Sequence, residues 1–237
     1  GPSLMEFIHA ESHWVHDFAL FQQLKTHFDD LPWMQWPEAY RDRDVDTLHA
    51  FRQQYEDEIS AIIVEQYHLE QRWWAIRRVA KEYDILLFGD MPIFVALDSA
   101  DVWANRDDFL LDEYGQPEYV AGVPPDYFSE TGQRWGNPHY NWEVMQANGF
   151  RWWRARLKRQ RAWFDLVRLD HFRGLVESWM IPADCETAVD GFWQKVPGEA
   201  LLMALKEDLP SLPIVAEDLG IITPEVTALR RKFGLPG

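Results

Sequence analysis

Val167-Arg168-Leu169-Asp170-His171-Phe172-Arg173-Gly174 and Ile214-Val215-Ala216-Glu217-Asp218-Leu219-Gly220 are the two stretches on which the fold of this chain turns. Each runs an apolar, strand-like segment into a carboxylate and then into glycine-bearing turn chemistry. Desolvating a carboxylate at the end of a buried strand is costly unless pairing or function compensates. Two such groups in similar settings point to an acid/base or nucleophile pair rather than to surface charge. From these residues alone, a pair of ordinary strand-end carboxylates in structural ion pairs stands as the competing reading.

Working outward, each stretch is preceded by a helical pattern. Gly149 to Phe164 places Phe150, Trp153, Leu157 and Trp163 on an otherwise Arg-rich surface, and Glu199 to Leu209 reads as a short helix feeding the second strand. A third apolar run, Asp84-Ile85-Leu86-Leu87-Phe88-Gly89-Asp90, has the character of a strand buried on both faces. Thr223-Pro224 supplies an N-cap and a proline at the first helical position, opening a helix from Glu225 to Phe233 with Gly234 as its stop. Strands alternating with helices, and carboxylates at strand C-termini, predict a parallel α/β fold with its site at the C-terminal edge of the sheet. Between the strands, 97–148 is a long Gly-, Pro- and aromatic-rich excursion of the kind that carries function, and 175–198 reads as irregular. Upstream, Ser12 to His27 carries Trp14, Phe18, Phe21 and Leu24 at helical spacing, a Pro-bounded loop covers 31–37, and Asp46 to Tyr83 reads as one long helix or two consecutive ones. The organisation expected is a helical segment over 5–83 followed by barrel-forming residues 84–237. Residues 1–4 look like a leftover from a cleaved tag.

The chain has 237 residues, 47% of them hydrophobic, enough for one large domain, and a formal charge of -16. That charge argues against nucleic acid and against anionic membrane surfaces, both polyanions that need clustered Lys and Arg. No apolar run approaches the roughly 20 residues needed to cross a bilayer. The single cysteine, Cys185, cannot form an internal disulfide, and the chain start lacks the order of a signal peptide, so the cytoplasm is favoured. The compositional outlier is aromatic: thirteen Trp, eight Tyr and fourteen Phe. Flat, rigid, amphipathic rings stack on the apolar faces of sugars, although most aromatic side chains serve the core.

Alternation along a strand puts Arg168 and Asp170 on one face, with Val167, Leu169 and His171 on the other. A guanidinium beside Asp170 favours its anion, as a nucleophile requires. Glu217 follows Ile214-Val215-Ala216 with no cation among its neighbours, so desolvation is expected to raise its pKa and keep a proton available for general acid catalysis. Two carboxyls of this kind are the parts of a retaining glycosidic mechanism, about 5 to 5.5 Å apart. Other constellations fail. Asp42, Asp44 and Asp46 begin like a calcium loop, but Thr47 and Gln53 stand where glycine and glutamate belong. His139 and His171 are isolated from any metal-ligand spacing, and neither a Gly-rich phosphate loop nor a Gly-x-Ser-x-Gly elbow occurs, so no metal and no cofactor is expected.

Further motifs extend this pattern: Phe88-Gly89-Asp90-Met91-Pro92-Ile93-Phe94-Val95-Ala96, Asp98-Ser99-Ala100-Asp101-Val102-Trp103, Ala121 to Ser129, and Gly132-Gln133-Arg134-Trp135-Gly136-Asn137-Pro138. Together with Arg168 to Gly174 and Ala216 to Gly220 they closely resemble the amylomaltase or disproportionating-enzyme family, the 4-alpha-glucanotransferases. The likeness runs from about Phe18 to the last residue. It implies a partial (β/α)8 barrel of the α-amylase clan, with a helical N-terminal segment and long inserted loops. It implies Asp170 as nucleophile, Glu217 as acid/base and Arg168 as support of the nucleophile. It also implies that Asp90, Asp98, Tyr127, Phe128, Trp135, Asn137 and His171 line a groove for α-1,4-glucans or maltooligosaccharides. The family pattern begins upstream of these residues and continues downstream to a His-Asp pair bearing a third catalytic carboxylate. The chain thus reads as a middle portion of a longer enzyme, inactive alone, whose open sheet edges favour self-association. A hydrolytic relative using water as acceptor, and a non-catalytic glucan-binding fragment, are the alternatives.

Overall fold

The computed structural model describes residues 1–237. In chain order the helices are α1 (Leu4–Ala10), α2 (Val15–His27), α3 (Glu38–Arg41), α4 (Val45–Gln54), α5 (Glu56–Glu82), α6 (Ala100–Ala104), α7 (Trp142–Ala147), α8 (Arg151–Trp163), α9 (Gly198–Asp208) and α10 (Pro224–Lys232). The strands are β1 (Phe88–Met91), β2 (Tyr119–Val123), β3 (Gln133–Pro138), β4 (Leu166–Leu169), β5 (Glu177–Pro182), β6 (Phe192–Lys195) and β7 (Ile214–Ala216).

β1, β4 and β7 form a parallel sheet in that order, so strands adjacent in space follow one another in the chain with helices between them. Asp90 pairs with Arg168, which pairs with Val215; Met91 pairs with Leu169, which pairs with Ala216. Gly89, Met91, Val167, Leu169, Ile214 and Ala216 turn to one face and are buried. The opposite face carries Phe88, Asp90, Leu166 and Arg168 and is open. This corrects the expectation of a strand buried on both faces at 84–90. Pairing begins only at Phe88, whose ring is 56% exposed, and Ile85 and Leu86 ahead of it are exposed too. Phe88 stands on the open face of the sheet, while Ile85 and Leu86, ahead of the strand, line a surface cavity with Trp74 and Arg77 of α5.

The excursions between the parallel strands fold into a second sheet, antiparallel, in the order β3-β2-β5-β6. The reading of 175–198 as irregular is therefore replaced by β5 and β6. β5 pairs with β2 from the preceding excursion, while every residue of β6 is exposed and gives no apolar alternation to read. Arg134 fastens the two excursions by donating to the carbonyls of Ala183 and Cys185 at 3.0 and 2.9 Å.

The N-terminal helices share one core with the parallel sheet. Phe7, Leu20, Leu24, Trp33, Phe51 and Ile63 belong to the same buried cluster as Trp103, Trp153, Leu169 and Ala216. Polar groups pin the junction: Trp33 donates its indole N–H to the Leu97 carbonyl at 2.8 Å, and Lys25 pairs with Asp98 at 2.5 Å. At the chain start, Ser3 caps α1 in a capping box with Glu6, and the Pro2 carbonyl accepts the Tyr67 hydroxyl at 2.8 Å. Residues 2–4 thus take part in the fold. The break at Tyr55 separates α4 from α5, the two-helix form of the 46–83 pattern.

Behind β1 the packing leaves no room for a side chain at Gly89, where a Cβ would lie 2.3 Å from the Phe164 ring. Gly89→Ala is expected to lower stability by about 1–3 kcal/mol through overpacking. Urea unfolding monitored by tryptophan fluorescence checks this, and an unchanged midpoint would show that the ring yields freely.

Candidate active site

The parallel ladder continues one step past the strand ends, and that step places the acidic groups. Asp170 N–H donates to the Met91 carbonyl at 3.0 Å and Glu217 N–H to the Leu169 carbonyl at 3.1 Å. Asp170 and Glu217 therefore stand at the same, C-terminal, end of neighbouring strands. Because side chains alternate, Asp170 returns to the face of Arg168 and Asp90. Arg168 donates its Nε to Asp90 Oδ1 at 2.9 Å and its Nη2 to Asp90 Oδ2 at 3.2 Å, a forked contact across β1 and β4. The same Nη2 reaches Asp170 Oδ1 at 3.2 Å. The expected neighbourhood of Arg168 and Asp170 is present, with Asp90 as the stronger partner. The Asp90 hydrogen bond first, and then the charges of Asp90, Asp170 and Glu217, raise the pKa of Arg168 above its ordinary value. Three carboxylates thus converge on one permanent cation.

Glu217 is not the unpartnered, desolvated carboxyl that the sequence led us to expect. Its Oε2 accepts the His171 N–H at 2.9 Å and its Oε1 the Leu219 N–H at 2.5 Å. Backbone donors at the strand ends, which leave no trace in local composition, orient this group.

The remaining residues divide. His171 packs its ring edge-on against Trp135, centroids 5.0 Å apart, beside Asp170, and Trp135 also packs on Phe94 at 6.3 Å. Trp135 is 40% exposed, so the ring offers a partly open face next to the carboxylates. Asn137 donates its amide to the Val95 carbonyl at 2.9 Å and so braces the segment that follows β1. Asp98 makes no contact with the Arg168 cluster: one oxygen takes Lys25 and the other the Trp33 N–H at 3.2 Å, so it joins the helical segment to the sheet. Tyr127 and Phe128 stand fully exposed at a loop tip. Asp126 shapes that tip by accepting the N–H groups of Phe128 and Ser129, both at 2.8 Å. Phe94, buried and stacked on Tyr140, was not singled out from the sequence; only its place six residues after Phe88 in a long motif marked it.

Acidic residues at the C-terminal ends of successive parallel strands, joined through helices, define a protein of the β/α-barrel type. No helix is long and apolar enough to cross a membrane. Comparison with known proteins makes the assignment specific. The chain belongs to the 4-alpha-glucanotransferase family, whose profile matches residues 2–237. It is 49% identical over 231 residues to the 4-alpha-glucanotransferase of Thermus thermophilus, covering 98% of this chain and 46% of that protein. The Synechocystis 4-alpha-glucanotransferase is 45% identical over 234 residues, again with 46% of its length covered. The chain superposes on the amylomaltase of Streptococcus agalactiae, solved in complex with acarbose, with a TM-score of 0.94 at 40% identity, over 99% of this chain and 47% of that one. The amylomaltase of Corynebacterium glutamicum, at 19% identity and a TM-score of 0.75, shares the fold. The chain spans about half the length of the curated relatives it matches.

Two histidines behind the site are held neutral. Burial pushes His139 and His171 down from 6.5 to about 4, assisted at His171 by the charge of Arg173 and opposed by that of Asp170. Between 6.5 and about 4 the unfolded chain binds more protons than the folded one. Their stabilising contribution is therefore full above 6.5 and is lost as pH falls through about 4. For His139, which is 3% exposed, the loss is at most about 1.4 kcal/mol per pH unit. Urea unfolding from pH 7 to pH 4 is expected to show this slope reduced in His139→Gln; identical slopes would contradict the assignment.

Proposed function

We propose that this chain carries the nucleophile and the acid/base of a 4-alpha-glucanotransferase acting on α-1,4-glucans by retaining double displacement. The observation that carries the reading is the placement of Asp170 and Glu217 one ladder step beyond β4 and β7, at the same end of adjacent strands. Arg168 holds Asp170 Oδ1, which leaves Oδ2 for attack. In the first half-reaction Asp170 forms a bond to the anomeric carbon as the glycosidic C–O bond breaks, and Glu217 gives its proton to the departing oxygen. In the second, the 4-hydroxyl of another glucan attacks that carbon, the bond to Asp170 breaks, and Glu217 takes the hydroxyl proton.

The groove residues have distinct duties in this reading. Trp135 supplies a ring face beside the reacting centre and His171 supports it. Asp90 both fixes Arg168 and, being largely exposed, presents a carboxylate edge to a sugar hydroxyl. Tyr127 and Phe128 stand where an incoming glucan meets them, and a sugar stacked there displaces water that competes with the acceptor. Asn137 contributes through its hold on Val95. The acarbose bound by the streptococcal relative supports an oligosaccharide as the ligand class. The exposed Phe88 and Leu166 on the open sheet face support self-association of this chain by itself, and the unpaired Cys185 supports a cytoplasmic location.

Incubation of the full-length protein with maltotriose tests the reading. Transfer yields glucose together with longer oligomers, whereas products that are only shorter would identify a hydrolase. Asp170→Asn is expected to abolish turnover and Glu217→Gln to lower it by at least about 10²-fold, both with unchanged circular dichroism. Near-normal rates in either variant remove that carboxylate from its role.

A further inference from the structure

His171 follows the nucleophile, and its backbone is left-handed, with φ 54° and ψ 49°. Residues other than glycine seldom adopt this conformation, although histidine does so more often than most, and the surrounding contacts hold it here. The β4–β7 ladder shows what it achieves. In parallel pairing, alternate residues of each strand donate and accept across the gap at even spacing. After Glu217 N–H to Leu169, a regular ladder would send His171 N–H to the Glu217 carbonyl and Leu219 N–H to the His171 carbonyl. Instead, Phe172 N–H, one residue later, takes the Glu217 carbonyl at 3.3 Å. The N–H groups of His171 and Leu219 turn to the two oxygens of the Glu217 side chain, at 2.9 and 2.5 Å. The left-handed residue inserts one extra step into the strand end, and the donors it frees clamp a single carboxylate.

The ring is held where this backbone needs it. Trp135 meets it edge-on at 5.0 Å with an interplanar angle of 84°. Gly174 leaves the space it occupies, since a Cβ there would lie 3.0 Å from His171 Cδ2 and 2.6 Å from Ile93 Cδ1. We propose that His171 is a positioning residue whose left-handed backbone aims the Glu217 carboxyl at the departing oxygen, with Trp135 and Gly174 locking that conformation. The proposal rests on Glu217 as acid/base.

The leaving group separates this role from a structural one. With maltotriose, the departing oxygen takes a proton from Glu217 as the Asp170–carbon bond forms. With α-maltosyl fluoride the carbon–fluorine bond breaks and fluoride departs as an anion, so no proton is required. His171→Val, β-branched and averse to positive φ, is expected to lose about 100-fold in kcat/KM on maltotriose. For fluoride release the loss in kcat/KM is expected to stay under about fivefold. His171→Gly, free to adopt the left-handed form, is expected to lose less than about tenfold on maltotriose. Equal losses on both substrates, or a glycine variant worse than the valine one, would overturn the proposal. His171→Ala replaces the valine variant should that one not fold. If the wild-type protein transfers from neither substrate, the functional reading fails, and crystallography alone decides this one. A Glu217 Oε2 beyond about 3.2 Å from the residue-171 nitrogen in His171→Val supports it, and an unchanged contact overturns it.

Discussion

Hydrogen bonding between β4 and β7 sets Arg168 against Val215 and Leu169 against Ala216, and every group at the site inherits its direction from that register. A one-residue slip in either strand would turn its alternating side chains to the other face of the sheet. Arg168 would then point among the apolar residues behind the sheet, and Asp170 would leave the groove. The buried row of Met91, Leu169 and Ala216 resists such a slip, because their apolar side chains belong to the core shared with the helices. Core packing on one face thus fixes chemistry on the other.

Arg168 is the second element on which the site depends. Two acidic side chains on adjacent strands, Asp90 and Asp170, share its guanidinium, and the charge of Glu217 is felt there as well. Exposed ion pairs of this kind add little to stability. Their use here is geometric: the planar fork fixes Asp90 and the third contact holds one oxygen of Asp170, which limits the rotations open to that carboxylate. Glu217 is held by different means, two backbone N–H groups, so the two carboxyls are oriented independently although they are neighbours. Similar side chains on adjacent strands thereby acquire different environments, as a division between nucleophile and acid/base requires.

Much of this was legible in the sequence, and the parts that were not have physical reasons. Apolar runs ending in Asp170 and Glu217 declared both strands, and period-two alternation declared that Arg168 faces Asp170. Thr223-Pro224 marked the start of α10, and Tyr55 lies where one helical pattern becomes two helices. The second sheet is not evident from local pattern because the β2–β5 pairing that joins its two local strand pairs spans separate excursions, and β6 is exposed throughout. Asp98 sat in a family-like motif, yet its partners Lys25 and Trp33 come from the helical segment, a contact that no local pattern announces. The hold on Glu217 was misjudged because composition shows side-chain neighbours and is silent about backbone donors. A left-handed histidine supplies one of those donors.

In the proposed reaction Asp170 bonds to the sugar while Glu217 governs the proton. This division is tested most directly by exposing the full-length Glu217→Gln protein to α-maltosyl fluoride and mapping the product by peptide mass spectrometry. Fluoride needs no acid to depart, while the second half-reaction lacks its base, so a maltosyl adduct should accumulate on the peptide containing Asp170. An adduct on the peptide containing Asp90 instead, or fluoride release with no adduct on either carboxylate, would remove Asp170 from the nucleophile's role.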